Sequence, residues 1–267
     1  MKLPVRIFSD LHLGHKATRI SDVETLRPLF QGAGTVVFSG DTWEELEGPW
    51  REASFAMLEM LKLVLGEEGC DVVFLRGNHD PGWEGKGWLE LADGRIAITH
   101  GDALLRNSSP WKHEILSGAD TVEKIWESFP EADAKVDSRL SVAKEIAERL
   151  SARHHPQERS LLSRIIDAAF PPRRAMAILK AWVGQWEKGA EFCEKYLPNA
   201  EILVIGHFHC SGVKNVRGKT LVNLGSFVVP GRAKWAEWDG KFFAVGDVRE
   251  SVDGCTMGER NQMLKLF

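Results

Sequence analysis

Leu75-Arg76-Gly77-Asn78-His79-Asp80-Pro81 is the stretch around which the rest of the chain is read. The apolar run Val72-Val73-Phe74-Leu75 feeds into it. Short, partly β-branched and uninterrupted, that run predicts a buried strand. The strand ends in a glycine, an amide, an imidazole and a carboxylate, and Pro81 stops any continuation. Polar groups of this kind at a strand end predict a site rather than a plain turn. Alone, Gly-Asn-His-Asp is a weak signal, and it gains weight from similar strand ends elsewhere.

Working outward, four more apolar runs end in the same style. Val5-Arg6-Ile7-Phe8 leads to Ser9-Asp10-Leu11-His12-Leu13-Gly14-His15, and Thr35-Val36-Val37-Phe38 leads to Ser39-Gly40-Asp41. Arg95-Ile96-Ala97-Ile98-Thr99 leads to His100-Gly101-Asp102, and Ile202-Leu203-Val204-Ile205 leads to Gly206-His207-Phe208-His209. Helices are predicted between the early strands. One runs from Asp22 to Phe30, with Ser21 as N-cap and Val23, Leu26 and Phe30 on one face, although Pro28 removes a backbone donor. The other runs from Trp50 to Leu65, with Phe55, Leu58, Leu61 and Leu65 apolar and Lys62 on the opposite, solvated side.

From about Leu104 to Leu197 the character is helical. Ser138 to Ser151 carries Leu140, Ala143, Ala147 and Leu150 on one side, and Leu161, Leu162, Ile165, Ile166 and Ala169 form a second stripe. After Pro171-Pro172, a third stripe runs through Met176, Leu179, Trp182, Val183, Trp186, Ala190, Cys193 and Leu197. Strands return with Lys219 to Leu224, Ala233 to Trp238 and Lys241 to Val245, the last two joined by an Asp239-Gly240 hairpin turn. The expected organisation is a core over residues 1–103 and 198–250, a helical cap insertion over 104–197, and a polar tail over 251–267.

The bulk numbers narrow the class. The chain's 267 residues suffice for one large domain with an insertion. With 43% hydrophobic and 27% charged residues, it reads as an ordinary soluble globular protein. A net charge of −4 gives no general attraction to nucleic acid or anionic membrane. Four scattered cysteines form neither a disulfide framework nor a thiolate zinc site and suit a reducing cytosol. Met1-Lys2-Leu3-Pro4 enters a strand without a signal-peptide core, and no apolar run approaches a membrane span. A cytoplasmic protein is expected, with peripheral membrane contact through the cap left open.

Five of the nine histidines sit at the strand ends. Ligands gather at the carboxyl ends of strands in layered α/β folds, so groups distant in sequence converge there. Asp10-x-His12 and His207-x-His209 each place two side chains on one side of an extended strand. Carboxylates and imidazoles without thiolates suit divalent Mn, Fe or Zn, and so many nitrogens make Mg a poorer match. A set this large suits two metal ions. For any single residue, a cap or a solvated polar group is the plainer reading. Five such ends in chain order are hard to credit as independent caps.

The ordered motifs Asp10-Leu11-His12, Gly40-Asp41, Gly77-Asn78-His79-Asp80, His100 and Gly206-His207-Phe208-His209 resemble those of the calcineurin-like metallophosphoesterase family. The resemblance implies a four-layer α/β/β/α sandwich with a dinuclear centre. It implies Asp10, His12, Asp41 and His209 on one metal and Asp41, Asn78, His100 and His207 on the other, with Asp41 bridging. Two cations about 3.5–4 Å apart would turn a bridging water into hydroxide near neutral pH and clamp the phosphoryl oxygens. His79 would donate to the phosphoryl or leaving oxygen. Asp80 would orient it or cap the loop, and His15 is either a phosphate contact or a solvated loop residue.

The insertion and the wording of the motifs look most like the UDP-2,3-diacylglucosamine pyrophosphohydrolases, in which the cap holds acyl chains. Manganese is the expected metal there, with Fe or Zn as alternatives. Arg149, Arg153, Arg159, Arg164, Arg173 and Arg174 either meet a diphosphate or form a solvated cationic face. Trp83 and Trp88 are candidates for an apolar pocket, whereas Trp182 and Trp186 fall on the helical stripe and are expected to fill the cap's core. The expected partner is a small-molecule or lipid-linked phosphoester. A nucleotide or nucleic-acid phosphodiesterase and a non-catalytic scaffold remain as alternatives. A scaffold would be expected to have lost ligands, and none is missing.

Overall fold

The structure is a computed structural model, and it describes residues 1–46, 48–83, 85–150, 172–251 and 254–266. The stripe Leu161 to Ala169, together with Arg153, Arg159 and Arg164, lies outside the described residues. The strands are β1 (Val5–Phe8), β2 (Thr35–Ser39), β3 (Asp71–Leu75), β4 (Trp88–Leu91), β5 (Ile96–Thr99), β6 (Ile202–Ile205), β7 (Gly212–Val216), β8 (Lys219–Asn223), β9 (Lys234–Trp238), β10 (Phe242–Ser251) and β11 (Gly254–Lys265). They form a six-stranded sheet in the order β11-β10-β9-β1-β2-β3 and a five-stranded sheet in the order β4-β5-β6-β8-β7. Within them β1, β2 and β3 run parallel, as do β5, β6 and β8.

Period-two alternation assigns each strand residue to one of three layers of core. Ile7 and Val37 from the first sheet meet Ile96, Ile98, Val204 and Val222 from the second, which closes the sheets face to face. Their neighbours point the other way. Phe8, Val36 and Phe38 pack under Leu61, Val64 and Leu65 of α2 (Arg51–Glu67). Ala97, Leu203 and Ile205 pack under Leu140 and Ala143 of α5 (Val136–Leu150) and Ala190 and Cys193 of α6 (Pro172–Tyr196). The result is the expected order of helices, sheet, sheet, helices. The insertion adds a small core of its own, in which Ile115 of α3 (His113–Ser117) and Val122 and Ile125 of α4 (Ala119–Glu127) meet Val142 and Ile146 of α5.

Several expectations need correction. β3 is an edge strand, so Asp71 is exposed and Val72 is 38% exposed, and only Leu75 is buried. The predicted helix from Asp22 is a 3-10 turn (Val23–Leu26) followed by α1 (Arg27–Phe30), and Asp22 rather than Ser21 accepts the capping bond from the Glu24 amide. Pro28 sits in the first turn of α1, where its missing donor costs nothing. Phe55 lies off the buried face of α2 and packs beside Trp43, their rings 5.8 Å apart. The polar tail is β11, which pairs with β10 from Phe242↔Lys265 to Ser251↔Gly254. It is an edge strand with one face toward solvent, so its composition hid it.

Candidate metal centre

The five strand ends meet at one edge of the two facing sheets. Asp10, His12, Asp41, His207 and His209 all adopt positive φ, between 46° and 64°. Asp and His tolerate this left-handed region better than most side chains, but each such residue carries strain. The turns fold each strand end back over the sheets and aim the side chains inward. Two motif glycines allow the crowding that follows. A Cβ on Gly206 would collide with the Asp10 carboxylate and the Ser9 hydroxyl, and one on Gly77 would collide with Asp41.

Asp10, Asp41, Asn78, His100, His12 and His207 are all buried, while His209 is one-third exposed at its side chain. His209 Nε2 lies 3.1 Å from Asp10 Oδ1 and 3.3 Å from His12 Nε2, and His12 Nε2 lies 3.6 Å from Asp41 Oδ2. On the other side of Asp41, His100 Nε2 lies 3.3 Å from Asp41 Oδ2, 3.2 Å from Asn78 Oδ1 and 3.2 Å from His207 Nδ1. The donors thus fall into two groups, Asp10-His12-His209 and Asp41-His100-His207, joined through Asp41.

The outer nitrogens settle the tautomers. His12 Nδ1 faces Glu44 Oε1 at 2.8 Å, His100 Nδ1 faces the Ser39 carbonyl at 3.2 Å, and His207 Nε2 faces the Ser108 carbonyl at 3.1 Å. Each acceptor takes one N–H, so that in the neutral ring the other nitrogen's lone pair faces the centre. Nitrogen and carboxylate donors facing one another at these distances, with second-sphere acceptors behind them, fit divalent cations.

Burial opposes charge on His12 and His100, but the carboxylates outweigh it. Glu44, Asp41 and Asp10 push His12 up to about 9, and Asp41 leads in pushing His100 up to about 10. Burial and the neighbouring His100 push His207 down to about 3. Asp41 is held well below the usual carboxylate range despite its burial, because His100, His79 and His12 surround it.

Glu44 is a site residue that the motifs did not single out. Its carboxylate bridges His12 Nδ1 and His79 Nδ1, the latter at 2.7 Å. The sequence signal available was a buried glutamate three residues after Gly40-Asp41. Asp80 takes the capping role of the two left open for it. Its oxygens accept from the amides of Gly77 at 2.6 Å, Thr42 at 2.7 Å and Asp41 at 3.0 Å, so it ties the Gly-Asn-His-Asp loop to the Asp41 turn. Burial and Asp41 push it up to about 7. The group that orients His79 is Glu44.

His15 accepts from the Ala17 amide at 3.1 Å, and its ring packs against Trp50 with centroids 4.5 Å apart. Arg149 is exposed and paired with Glu145 at 2.5 Å, away from the centre, and Arg153 lies outside the described residues. Above the donors is a cavity of about 210 Å³, bordered by His79, Ser109, Trp111, Lys112, Ile178 and Trp182. Trp186 fills the core as expected at 8% exposed, but Trp182 is 45% exposed and stands at the cavity. Trp83 stacks on Phe74 with centroids 4.7 Å apart, and Trp88 donates to Asp137 at 2.8 Å, so neither borders the cavity.

No protein-family model and no curated protein matches the chain. Solved structures do. A dimetal phosphatase from Danio rerio is similar over 98% of both chains, with a TM-score of 0.50 and 11% identity. YfcE, a phosphoesterase from E. coli, aligns with 99% of this chain and 100% of its own at TM-score 0.44 and 16% identity. Vps29 from Entamoeba histolytica, solved in complex with zinc, aligns with 98% of this chain and 99% of its own at TM-score 0.40 and 15% identity. At such identities the likeness establishes the fold, which is that of the metallophosphoesterases.

Proposed function

We propose that this protein hydrolyses a phosphodiester or pyrophosphate with the help of two divalent metal ions, manganese first among the candidates and iron or zinc next. The observation that carries the reading is the convergence of seven donors from five strand ends, with the imidazoles of His12, His100 and His207 tied from behind to outer acceptors. Asp10, His12, Asp41 and His209 would hold one ion and Asp41, Asn78, His100 and His207 the other. The pair would supply a water of lowered pKa and a Lewis-acid clamp on the phosphoryl oxygens.

The chain's own groups do the rest. Glu44 accepts from His79 Nδ1 and fixes the ring at the cavity's edge, and as an imidazolium His79 would donate from Nε2 to the phosphoryl or leaving oxygen. Asp80 holds the loop that carries Asn78 and His79 against the turn that carries Asp41. Trp111, Ile178 and Trp182 exclude water on the cap side and offer an apolar wall to the group borne by the phosphate.

A lipid-linked pyrophosphate of the UDP-2,3-diacylglucosamine type is the specific substrate proposed. The apolar wall supports it, as do Met176, Leu179 and Val183, apolar side chains exposed on the first half of α6. Cys70, Cys193, Cys210 and Cys255 are free thiols, which supports a reducing, cytoplasmic place of action. Among the described residues no helix is long and apolar enough to cross a membrane.

The test is metal analysis of the purified protein followed by hydrolysis of bis-p-nitrophenyl phosphate. Two ions per chain and turnover support the reading, whereas a fully loaded protein that hydrolyses nothing would favour a scaffold. Comparing UDP-2,3-diacylglucosamine with cyclic nucleotides and single-stranded DNA then tests the substrate.

A further inference from the structure

The loop from Ser108 to Lys112 carries polar groups that neither the core nor the metal centre uses. Ser109 is 1% exposed and borders the cavity, and its Oγ has no hydrogen-bond partner among the described residues. A buried hydroxyl left so is unfavourable unless something completes it. Lys112 borders the same cavity. Among the described residues its ammonium makes no hydrogen bond or ion pair; burial opposes its charge, and the carboxylates of Asp41, Glu44, Glu114 and Asp102 favour it.

The loop itself is firmly held. The Lys112 amide donates to the Ser109 carbonyl at 2.9 Å, and the Lys112 carbonyl accepts from Ile115 at 3.2 Å and Leu116 at 3.0 Å as α3 begins. The Ser108 carbonyl accepts from His207 Nε2, so the loop is fastened directly to the centre. A hydroxyl and an ammonium on one fixed loop, both unused and both on residues that border the cavity, match an anionic oxygen.

We propose that Ser109 Oγ and Lys112 Nζ bind an anionic phosphoryl oxygen that takes no part in the bond broken. The site then prefers substrates with a second phosphate, or a terminal doubly charged phosphate, over singly charged diesters. This rests on the hydrolase reading and names its substrate class.

Calorimetric titration of the manganese-loaded full-length protein with methylenediphosphonate, inorganic phosphate and diphenyl phosphate tests it. The first probe reports a second phosphate, the second a terminal one, and the third is the singly charged control. Lys112→Met should weaken the two multiply charged probes by about 10–100-fold, and Ser109→Ala by about 3–10-fold. The diphenyl phosphate response should change several-fold less, and Lys112→Arg should restore most of the affinity. Metal content and melting midpoint, measured on each variant, separate recognition from folding, and Lys112→Gln replaces Lys112→Met if the latter is unstable. In turnover, Lys112→Met should raise KM for p-nitrophenyl phosphate more than it lowers kcat. Equal affinity of Lys112→Met and the parent for both multiply charged probes overturns the proposal. So does failure of the parent to bind either probe at millimolar concentration. A parent that hydrolyses nothing defeats the hydrolase reading, while the binding comparison still decides this one.

Discussion

The floor of the cavity and its wall are built in opposite ways. On the floor, Asp10, Asp41 and His100 are at most 2% exposed, strained turns aim the carboxylates, and both ring nitrogens of His12, His100 and His207 have a neighbour. On the wall, Trp111, Lys112 and Trp182 come from the insertion and are partly exposed, and the wall's polar groups lack internal partners. A floor so constrained specifies one chemistry, whereas a wall so loosely committed can be changed without disturbing it. On the proposed hydrolase reading, substrate choice would belong to residues of the 104–197 segment and bond cleavage to the strand ends.

The comparison breaks most readily at Asp41, which both donor groups share. Asp41→Asn is expected to abolish uptake of at least one ion and to lower turnover by roughly 10³-fold or more. Metal analysis beside an activity assay reads it, and a doubly loaded, active variant would end the reading of Asp41 as the shared ligand.

The two indoles of α6 give the next largest contrast. Trp186→Ala empties a packed position and should cost about 3–5 kcal/mol in denaturant unfolding. Trp182→Ala should cost less than about 1 kcal/mol and act instead on KM. Equal destabilisation would mean that Trp182 belongs to the core and not to the wall.

Glu44 sharpens the picture of the floor. Glu44→Gln leaves the shape and removes the charge behind His12 and His79, so metal affinity or turnover should fall about 10–100-fold. His79→Ala should retain both ions and lose about 10²–10⁴-fold in rate. If Glu44→Gln leaves both quantities alone, the bridge between the two histidines is decoration.

The smallest effect is a linkage to pH. In metal-depleted protein, His12 and His100 keep their protons to about pH 9 and 10. Their folded-state values lie above the unfolded value of about 6.5, so their contribution to stability is complete below that pH and is lost as pH rises through 9 to 10. Metals take neutral imidazole, so uptake near pH 7.5 should release protons, and affinity should rise up to about tenfold per pH unit for each proton displaced. Calorimetry in Tris and in HEPES, which differ in ionisation heat, measures the release. Identical heats in both buffers would contradict it.

The motif-bearing strands β2, β5 and β6 were legible because their burial on both faces leaves apolar runs, and β1 was legible despite Arg6, its one partly exposed residue. β4, β7 and β11 were not legible, because each is an edge strand with mixed composition. The ligand residues could be read from recurring strand-end patterns. Glu44 could not, because one glutamate in a loop looks like any solvated charge until its two histidine partners are in place. Trp182 misled for a related reason. Met176, Leu179, Trp182 and Trp186 read as one apolar stripe, but the sheet lies only under the C-terminal part of the helix.

Local order along the polypeptide was enough to single out the polar strand-end residues that gather at the centre, since period-two alternation and the glycine-flanked polar strand ends are properties of neighbours in sequence. Which of those residues touch, which imidazole nitrogen faces inward, and which side of the cap meets the cavity were decided by the packing of two sheets against each other. Those features depend on contacts between residues up to 197 positions apart, such as Asp10 and His207, and no short-range pattern encodes such a distance.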